Sequence, residues 1–258
     1  MISKSTIIPF LFVLALFTQL SAQEGEVNLI SARPGLSPFP SRLDQGSFVL
    51  EAGFSMEREY NESDFDENRK VPIEFRYGLL ENMEVNIAFT YRSFEVNEEP
   101  LDRLYRGLDA TVIGAKFRIA EERGIYPRIE FSGNLKLPYF GEETFIPEDV
   151  EPRFNLSFLH NVNDKFRFTY GFGMFWRGPD ENGFYGLKVT RFMGTKHGFF
   201  VEHYAYLRGN EKNEAHIGAG YILLANRKIQ LDVGLDLGGM KDRTFLGGNL
   251  GFSVLLKD

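Results

Sequence analysis

Charged side chains that alternate with apolar ones are the residues of this sequence best placed to do chemistry. Glu51 stands in the middle of such an alternating stretch, and arginines recur at equivalent positions along the chain. Carboxylates among guanidinium groups form charge-assisted pairs, so we expect Glu51 to belong to an internal ion network. The polar side chains expected to line the interior are Glu51, Glu74, Arg76, Arg92, Lys116, Arg118, Arg128, Glu130, Arg153, Arg167, Glu202, Asp232 and Asp236. Two roles fit this set: bracing a narrow interior, or lining a path that selects a solute.

Hydrolytic chemistry would have to come from one of the four histidines. His216 lies on a polar face, and Asp236 is expected on a neighbouring strand, so this pair is the strongest candidate. His203 directly follows Glu202, but adjacent strand residues point to opposite faces, which prevents them from forming a dyad. The sequence has neither a G-x-S-x-G nor an H-E-x-x-H motif. We therefore predict no enzymatic activity, no catalytic residues and no metal site.

The composition excludes further classes of function. The chain has 258 residues and no Cys, which rules out disulfides, thiolate metal sites and cysteine nucleophiles. Its formal net charge is -7, and nucleic acid demands a basic face, so no nucleic-acid partner is expected. Aromatic residues make up 15%, with 26 Phe against a single Trp. No cofactor is predicted.

The first residues have the features of a secretory signal. Lys4 supplies a positive start, residues 7–17 are apolar except for Pro9, and Ser21-Ala22 offers a cleavage site before Gln23. No later stretch reaches the roughly 18 apolar residues that a membrane helix needs. We divide the chain into a signal peptide, 1–22, a periplasmic segment rich in Pro, Ser and Gly, 23–45, and one β-domain, 46–258. The segment is expected to act as a partial plug, with a loose tail as the alternative.

The β-domain shows a period of two, which places alternate side chains on opposite faces of strands. The clearest run is 166–176, where large apolar residues on even numbers alternate mostly with Arg, Thr and Gly. The predicted strands lie near 46–59, 71–80, 83–95, 107–119, 125–137, 151–160, 166–177, 184–192, 199–208, 215–224, 229–238 and 244–256. The eighth and ninth have the weakest pattern.

Connections after even strands are short and those after odd strands are long or polar. This is typical of outer-membrane barrels, which have short periplasmic turns and longer extracellular loops. The fold class predicted is all-β, a closed antiparallel transmembrane β-barrel of about 12 strands. A soluble sandwich is the alternative. Export, strand length and two expected aromatic belts favour the barrel. The belts are Tyr91, Phe94, Tyr105, Trp176 and Tyr185 at the looped end, and Tyr77, Phe117, Tyr126, Phe166, Phe192 and Phe199 at the other.

Several short motifs resemble one family of barrels. They are Ser31-Ala32-Arg33-Pro34-Gly35-Leu36-Ser37, the run from Gln45 to Phe54, Arg76-Tyr77-Gly78-Leu79, Gly107-Leu108-Asp109 with Gly114-Ala115-Lys116-Phe117-Arg118, and Gln230-Leu231-Asp232-Val233-Gly234. Together they are similar to the outer-membrane transporters named for the MetA pathway of phenol degradation. The resemblance implies a barrel of the twelve-stranded type and passage of small molecules, aromatic ones included. The ending Leu255-Leu256-Lys257-Asp258 departs from it, since such barrels commonly end in an aromatic residue.

These observations predict a pore or transporter for small molecules in the outer membrane of a Gram-negative envelope. A structural barrel, or one whose loops bind a partner, is the alternative. The expected partners are outer-membrane lipid and lipopolysaccharide, the barrel-assembly machinery during biogenesis, and a small-molecule solute.

Overall fold

The computed structural model describes residues 31, 33, 43–61, 64–98, 101–209, 213–240 and 242–257. The predicted signal peptide, 1–22, and most of the segment 23–45 lie outside these residues, so both assignments stay predictions. Within the described part, no helix is both long and apolar enough to cross a membrane. The strands are β1 Phe48–Tyr60, β2 Phe65–Leu80, β3 Met83–Glu98, β4 Leu101–Leu108, β5 Val112–Ala120, β6 Arg128–Lys136, β7 Glu151–Asn163, β8 Phe166–Arg177, β9 Asp180–Met193, β10 His197–Arg208, β11 Glu214–Asn226, β12 Ile229–Met240 and β13 Arg243–Lys257.

The sheet closes on itself through its first and last strands. β13 pairs antiparallel with β1, from Phe48 opposite Lys257 to Tyr60 opposite Thr244. β4 and β5 both pair with β3, β4 along its second half and β5 along its first half. They therefore share one position in the wall, and the thirteen strands fill twelve positions. This confirms a closed antiparallel barrel of about twelve strands.

Several segments predicted as loops are parts of strands. β2 begins at Phe65, although residues 60–70 were expected to form a loop, and β3 continues to Glu98 through part of the expected loop 96–106. At this end of the barrel, which we call the looped end, the long connection in the described chain is Leu137–Val150. The opposite end, which we call the short-turn end, carries the two-residue connections Glu81–Asn82, Asp164–Lys165 and Arg227–Lys228. It also carries the seven-residue connection Glu121–Pro127, and the looped end has a two-residue turn at Gly178–Pro179, so the predicted difference between the two ends is only partial.

The wall of the barrel is irregular beside β4. β6 pairs with β5 and ends at Lys136, before it reaches the level of β4. In the described sheet, the edge of β4 that faces away from β3 therefore has no strand partner. The connection 137–150 folds back here instead. The backbone N–H of Glu142 donates to the carbonyl oxygen of Leu108 at 2.7 Å, and Phe145 is buried. A loop thus completes the wall where a strand is missing.

The outer surface of the barrel is apolar. The even-numbered residues of β8 point outward, with Phe172 56% and Met174 44% exposed, as their alternation predicts. Outward Leu, Ile, Val and Phe side chains recur on the other strands, among them Ile73, Ile113, Leu187, Val233, Leu235 and Leu250. An apolar surface this extensive requires a non-aqueous surrounding.

Three residues assigned to the aromatic belts face the interior of the barrel. Phe192 is 4% exposed and packs among interior side chains, Phe94 lines an internal cavity, and Tyr105 lies directly opposite Phe94 on the same face of the sheet. The assignment failed because residue type and position near a strand end do not show which face of the strand an aromatic side chain occupies.

Apolar side chains line part of the interior in addition to the polar residues predicted from sequence. Leu159, Phe192, Phe200, Ile222 and Leu224 form a buried apolar cluster contributed by β7, β9, β10 and β11 near the short-turn end. This part of the lumen is filled by hydrocarbon, and the ion network predicted from sequence occupies the opposite wall.

Candidate functional site

The ion network on the interior of β1, β2, β3 and β5 is centred on Arg76. Its Nη1 donates to Oε1 of Glu51 at 2.6 Å, and its Nη2 and Nε donate to Glu84 at 2.8 and 2.9 Å. Lys116 adds a contact from Nζ to Oε1 of Glu84 at 3.2 Å. Glu51, Arg76 and Glu84 are each no more than 6% exposed, so these side chains pack the lumen at this level. The bidentate geometry fixes their positions.

Residues that precede the first strand lie inside the barrel. Nε of Arg33 is 3.5 Å from Oδ2 of Asp232, and its Nη2 donates to the carbonyl oxygen of Leu250 at 3.2 Å. Gln230 donates from Nε2 to the carbonyl oxygen of Arg33 at 2.9 Å, and the backbone N–H of Ser31 donates to Oε1 of Gln230 at 3.4 Å. Ser31 and Gln230 are fully buried. We call these contacts the N-terminal latch.

Glycines on the wall make room for the latch. A Cβ atom at Gly53 or Gly251 would overlap the guanidinium group of Arg33. These two glycines are directly paired across the seam between β1 and β13. Arg33 therefore lies flat against a stretch of bare backbone that no other residue type would provide.

A cavity of about 900 Å³ occupies the lumen toward the looped end. Its lining combines aromatic rings with charged groups of both signs, including Lys70, Arg92, Asp109, Glu57 and Tyr206. We call this cavity the vestibule. Its volume falls within the range of natural binding sites for small molecules.

One wall of the vestibule combines arginines with phenylalanines. Cζ of Arg153 lies 4.2 Å from the centroid of the Phe184 ring and 5.9 Å from that of Phe175. Cζ of Arg177 lies 5.6 Å from the Phe175 centroid. The ring of Tyr206 meets that of Phe175 edge-on at 6.0 Å. These cation–π and ring contacts hold the two guanidinium groups at the vestibule surface. We call these five residues the arginine–aromatic wall.

Gly173 sets the position of this wall, because the Phe184 ring lies directly over it. A Cβ at this position would be 2.5 Å from Cζ of Phe184 and would overlap the carbonyl oxygen of Phe154. We predict that Gly173→Ala destabilises the barrel by about 1–3 kcal/mol through overpacking. Urea unfolding in lipid vesicles measures this loss.

Gly183→Ala is the matched control for Gly173→Ala. The nearest atom to a Cβ at Gly183 is Cβ of Leu207 at 3.6 Å, an ordinary contact. Equal unfolding midpoints for the two alanine variants would contradict the proposed role of Gly173.

His216 lies beside the vestibule in a compact polar cluster. Its Nε2 is 2.6 Å from Oε1 of Glu214, its Nδ1 is 3.5 Å from Oδ2 of Asp236, and its ring stacks on Tyr204 at 4.6 Å. Tyr204 donates its hydroxyl to Asp236 at 3.2 Å. The structure thus brings His216 and Asp236 together as the sequence predicted, and it adds Glu214, which spacing alone did not identify.

The other predicted interior residues are distributed along the lumen. Arg118 and Arg128 both contact Glu121 at the short-turn end, at 2.9 and 3.2 Å. Glu202 pairs with Lys188 at 3.5 Å, and Arg92 approaches Asp109 at 4.0 Å. The remaining members are Glu74, paired across strands with Glu51, Glu130, which is 2% exposed, and Arg167, whose Nε donates to Asn161. All face inward, but only Glu51, Arg76 and Lys116 of the predicted set meet in the Arg76-centred ion network.

The fold resembles those of solved outer-membrane barrels. No family model matches the sequence, and no curated protein matches it. The chain is similar to the COG4313 outer membrane channel from Pseudomonas putida F1, with a TM-score of 0.65 and 10% identity over 88% of this chain and 100% of that one. It is also similar to the translocator domain of autotransporter NalP from Neisseria meningitidis, with a TM-score of 0.59 and 11% identity over 82% of this chain and 90% of that one. For the CymD monoaromatic hydrocarbon channel the TM-score is 0.55 and the identity 9%, over 83% of this chain and 90% of that one.

Proposed function

We propose that this protein is an outer-membrane channel that takes up small molecules through a narrow, gated lumen. The observation that carries the proposal is the 900 Å³ vestibule inside a closed barrel whose outer surface is apolar. The vestibule receives the solute. The ion network and the N-terminal latch constrict the path beyond it, because their side chains are buried in the lumen.

The proposed orientation places the short-turn end in the periplasm and the vestibule toward the cell exterior. Signal cleavage before Gln23 and delivery to the barrel-assembly machinery belong to this proposal. An outward ion cluster near the looped end supports it: Arg58 pairs with Glu67 at 2.5 Å, and Arg69 also contacts Glu67. Both arginines are more than 40% exposed. At headgroup level they would bind the phosphates of lipopolysaccharide.

The proposed solutes are small molecules, with aromatic compounds among them. The rings of the vestibule support this choice, as does the resemblance of the motifs to the MetA-pathway transporters. One structural neighbour is named as a monoaromatic hydrocarbon channel, which is consistent with the same solute class. We propose no enzymatic role: the His216 cluster serves to pack and polarise the vestibule.

The second candidate is a barrel that does not transport and that acts through its surface loops. The filled lumen at the level of Arg76 favours it. Planar-bilayer recording of the purified protein separates the two. Stepwise channels and liposome uptake support the channel, whereas a silent protein whose loops mediate adhesion supports the alternative.

Glu51→Gln provides a test of the path itself. Removing one carboxylate from a narrow lumen leaves Arg76 with one fewer counter-charge, so the variant is expected to shift toward anion preference. The reversal potential in a salt gradient measures this shift. The control is Glu181→Gln, which changes an exposed carboxylate opposite the outward Trp176. Wild-type behaviour of Glu51→Gln would leave Glu51 with a structural role alone.

A further inference from the structure

Two guanidinium groups at the vestibule surface lack carboxylate partners. In the described part of the chain, neither Arg153 nor Arg177 has a carboxylate oxygen within 4.0 Å. Their contacts are with the rings of Phe175 and Phe184. Ring contacts leave the N–H groups around the edge of a guanidinium free to donate, and planar anions are their preferred acceptors.

The other charges of the vestibule are largely engaged with each other. Arg208 pairs with Glu214 at 2.6 Å, and Lys136 pairs with Asp109 at 3.0 Å. Arg243 contacts Glu59. Glu57, Asp66 and Glu151 also line the cavity, but none lies within ion-pair distance of Arg153 or Arg177. In the described chain, Lys70 also lines the vestibule without a carboxylate oxygen within 4.0 Å. The arginine–aromatic wall is therefore the place where two such cations lie beside aromatic rings.

The same wall offers apolar area beside that charge. Phe175, Phe184 and Tyr206 line the vestibule together. Rings in this density pack against another flat ring in offset or edge-on arrangements. A ligand that satisfies both features needs a carboxylate and a planar apolar body.

We propose that the arginine–aromatic wall is a binding subsite for aromatic carboxylates. The carboxylate accepts hydrogen bonds from Arg153 and Arg177, and the aromatic body packs on the neighbouring rings. This inference rests on the proposed channel function, for which it names the solute class.

The test is isothermal titration of the purified full-length protein with benzoate, compared with benzamide, cyclohexanecarboxylate and galacturonate. Benzoate is expected to bind about tenfold more tightly than benzamide, which has the same shape without the charge. It is also expected to bind more tightly than the other two acids, which lack an aromatic ring. Fluorescence of Trp176, the single tryptophan, gives a second readout.

The variants are Arg153→Gln and Arg177→Gln, each expected to weaken benzoate binding about tenfold. Arg177 is exposed, so its replacement tests the subsite without disturbing buried packing. Arg227→Gln, in an exposed turn at the opposite end, is the control and is expected to bind like the wild type.

Several outcomes would overturn the inference. Equal affinities for benzoate and benzamide would remove the role of the charge, and wild-type affinity in both arginine variants would remove the subsite. Galacturonate or cyclohexanecarboxylate binding as tightly as benzoate would remove the aromatic preference. Stepwise conductance without benzoate binding would contradict this inference alone. Benzoate binding by a protein that never conducts would contradict the channel function alone.

Discussion

Arg76→Met is expected to destabilise the barrel by about 3–5 kcal/mol, because it removes the cation shared by two buried carboxylates. Glu51 and Glu84 would remain in the lumen, where Arg76 now donates three hydrogen bonds to them at 2.6 to 2.9 Å. Lys116 contacts Glu84 and compensates only part of the charge. Urea unfolding in lipid vesicles, followed by Trp176 fluorescence, measures the loss.

Arg227→Met is the control for this prediction. It changes side-chain volume and charge by the same amount as Arg76→Met, but at a residue that is exposed in a turn. Arg76→Lys is expected to recover part of the stability, because an ammonium keeps the charge but not the bidentate geometry. Unfolding of Arg76→Met at the same urea concentration as Arg227→Met would show that the ion network contributes nothing to stability.

Arg33→Ala is expected to release the N-terminal latch and to raise conductance. The substitution leaves Asp232, whose side chain is fully buried, without its ion-pair partner. A loss of about 3 kcal/mol corresponds to a change of about a hundredfold in the ratio of seated to released segment. The path beyond the vestibule then widens in most molecules.

The absence of cysteine from the sequence makes this release directly measurable. Ser31→Cys places a thiol at a fully buried position of the latch, and its maleimide labelling should accelerate about a hundredfold in the Arg33→Ala background. Thr195→Cys, in an exposed turn, should label at the same rate in both backgrounds. Asp232→Asn should reproduce the release and add nothing to Arg33→Ala, since both changes break one contact. Equal labelling of Ser31→Cys in both backgrounds would refute the latch.

The outward strand faces were predictable from sequence because a membrane imposes one requirement on all of them. Phe172 and Met174 must be apolar whatever lies inside, so the period of two is preserved along β8. The pattern was weakest on β9 and β10 for a physical reason. Phe192 and Phe200 join the apolar cluster inside the lumen, so the inner faces of these strands mix apolar residues with polar ones such as Lys188 and Glu202.

The predicted loops and the latch show two further limits. Phe65–Lys70 and Val96–Glu98 are parts of strands in which most residues are polar, so the alternation that would mark them as strands is absent from the sequence. The latch joins Arg33 to Leu250, and no local spacing encodes a contact across 217 residues. Arg153 was predicted to face inward, but the absence of a carboxylate within 4.0 Å of it, among the residues that the structure describes, depends on where β7, β8 and β9 place their neighbours.

The seam between β1 and β13 has a consequence for biogenesis. Tyr60 pairs with Thr244 and Phe48 with Lys257, so one edge of the first strand can form its hydrogen bonds only after the last strand is in place. Until then, the backbone groups along one side of β1 remain open to the wrong partner. Contacts this distant in sequence make assembly slow. If this edge is not covered during that time, we expect the chain to pair wrongly or to aggregate.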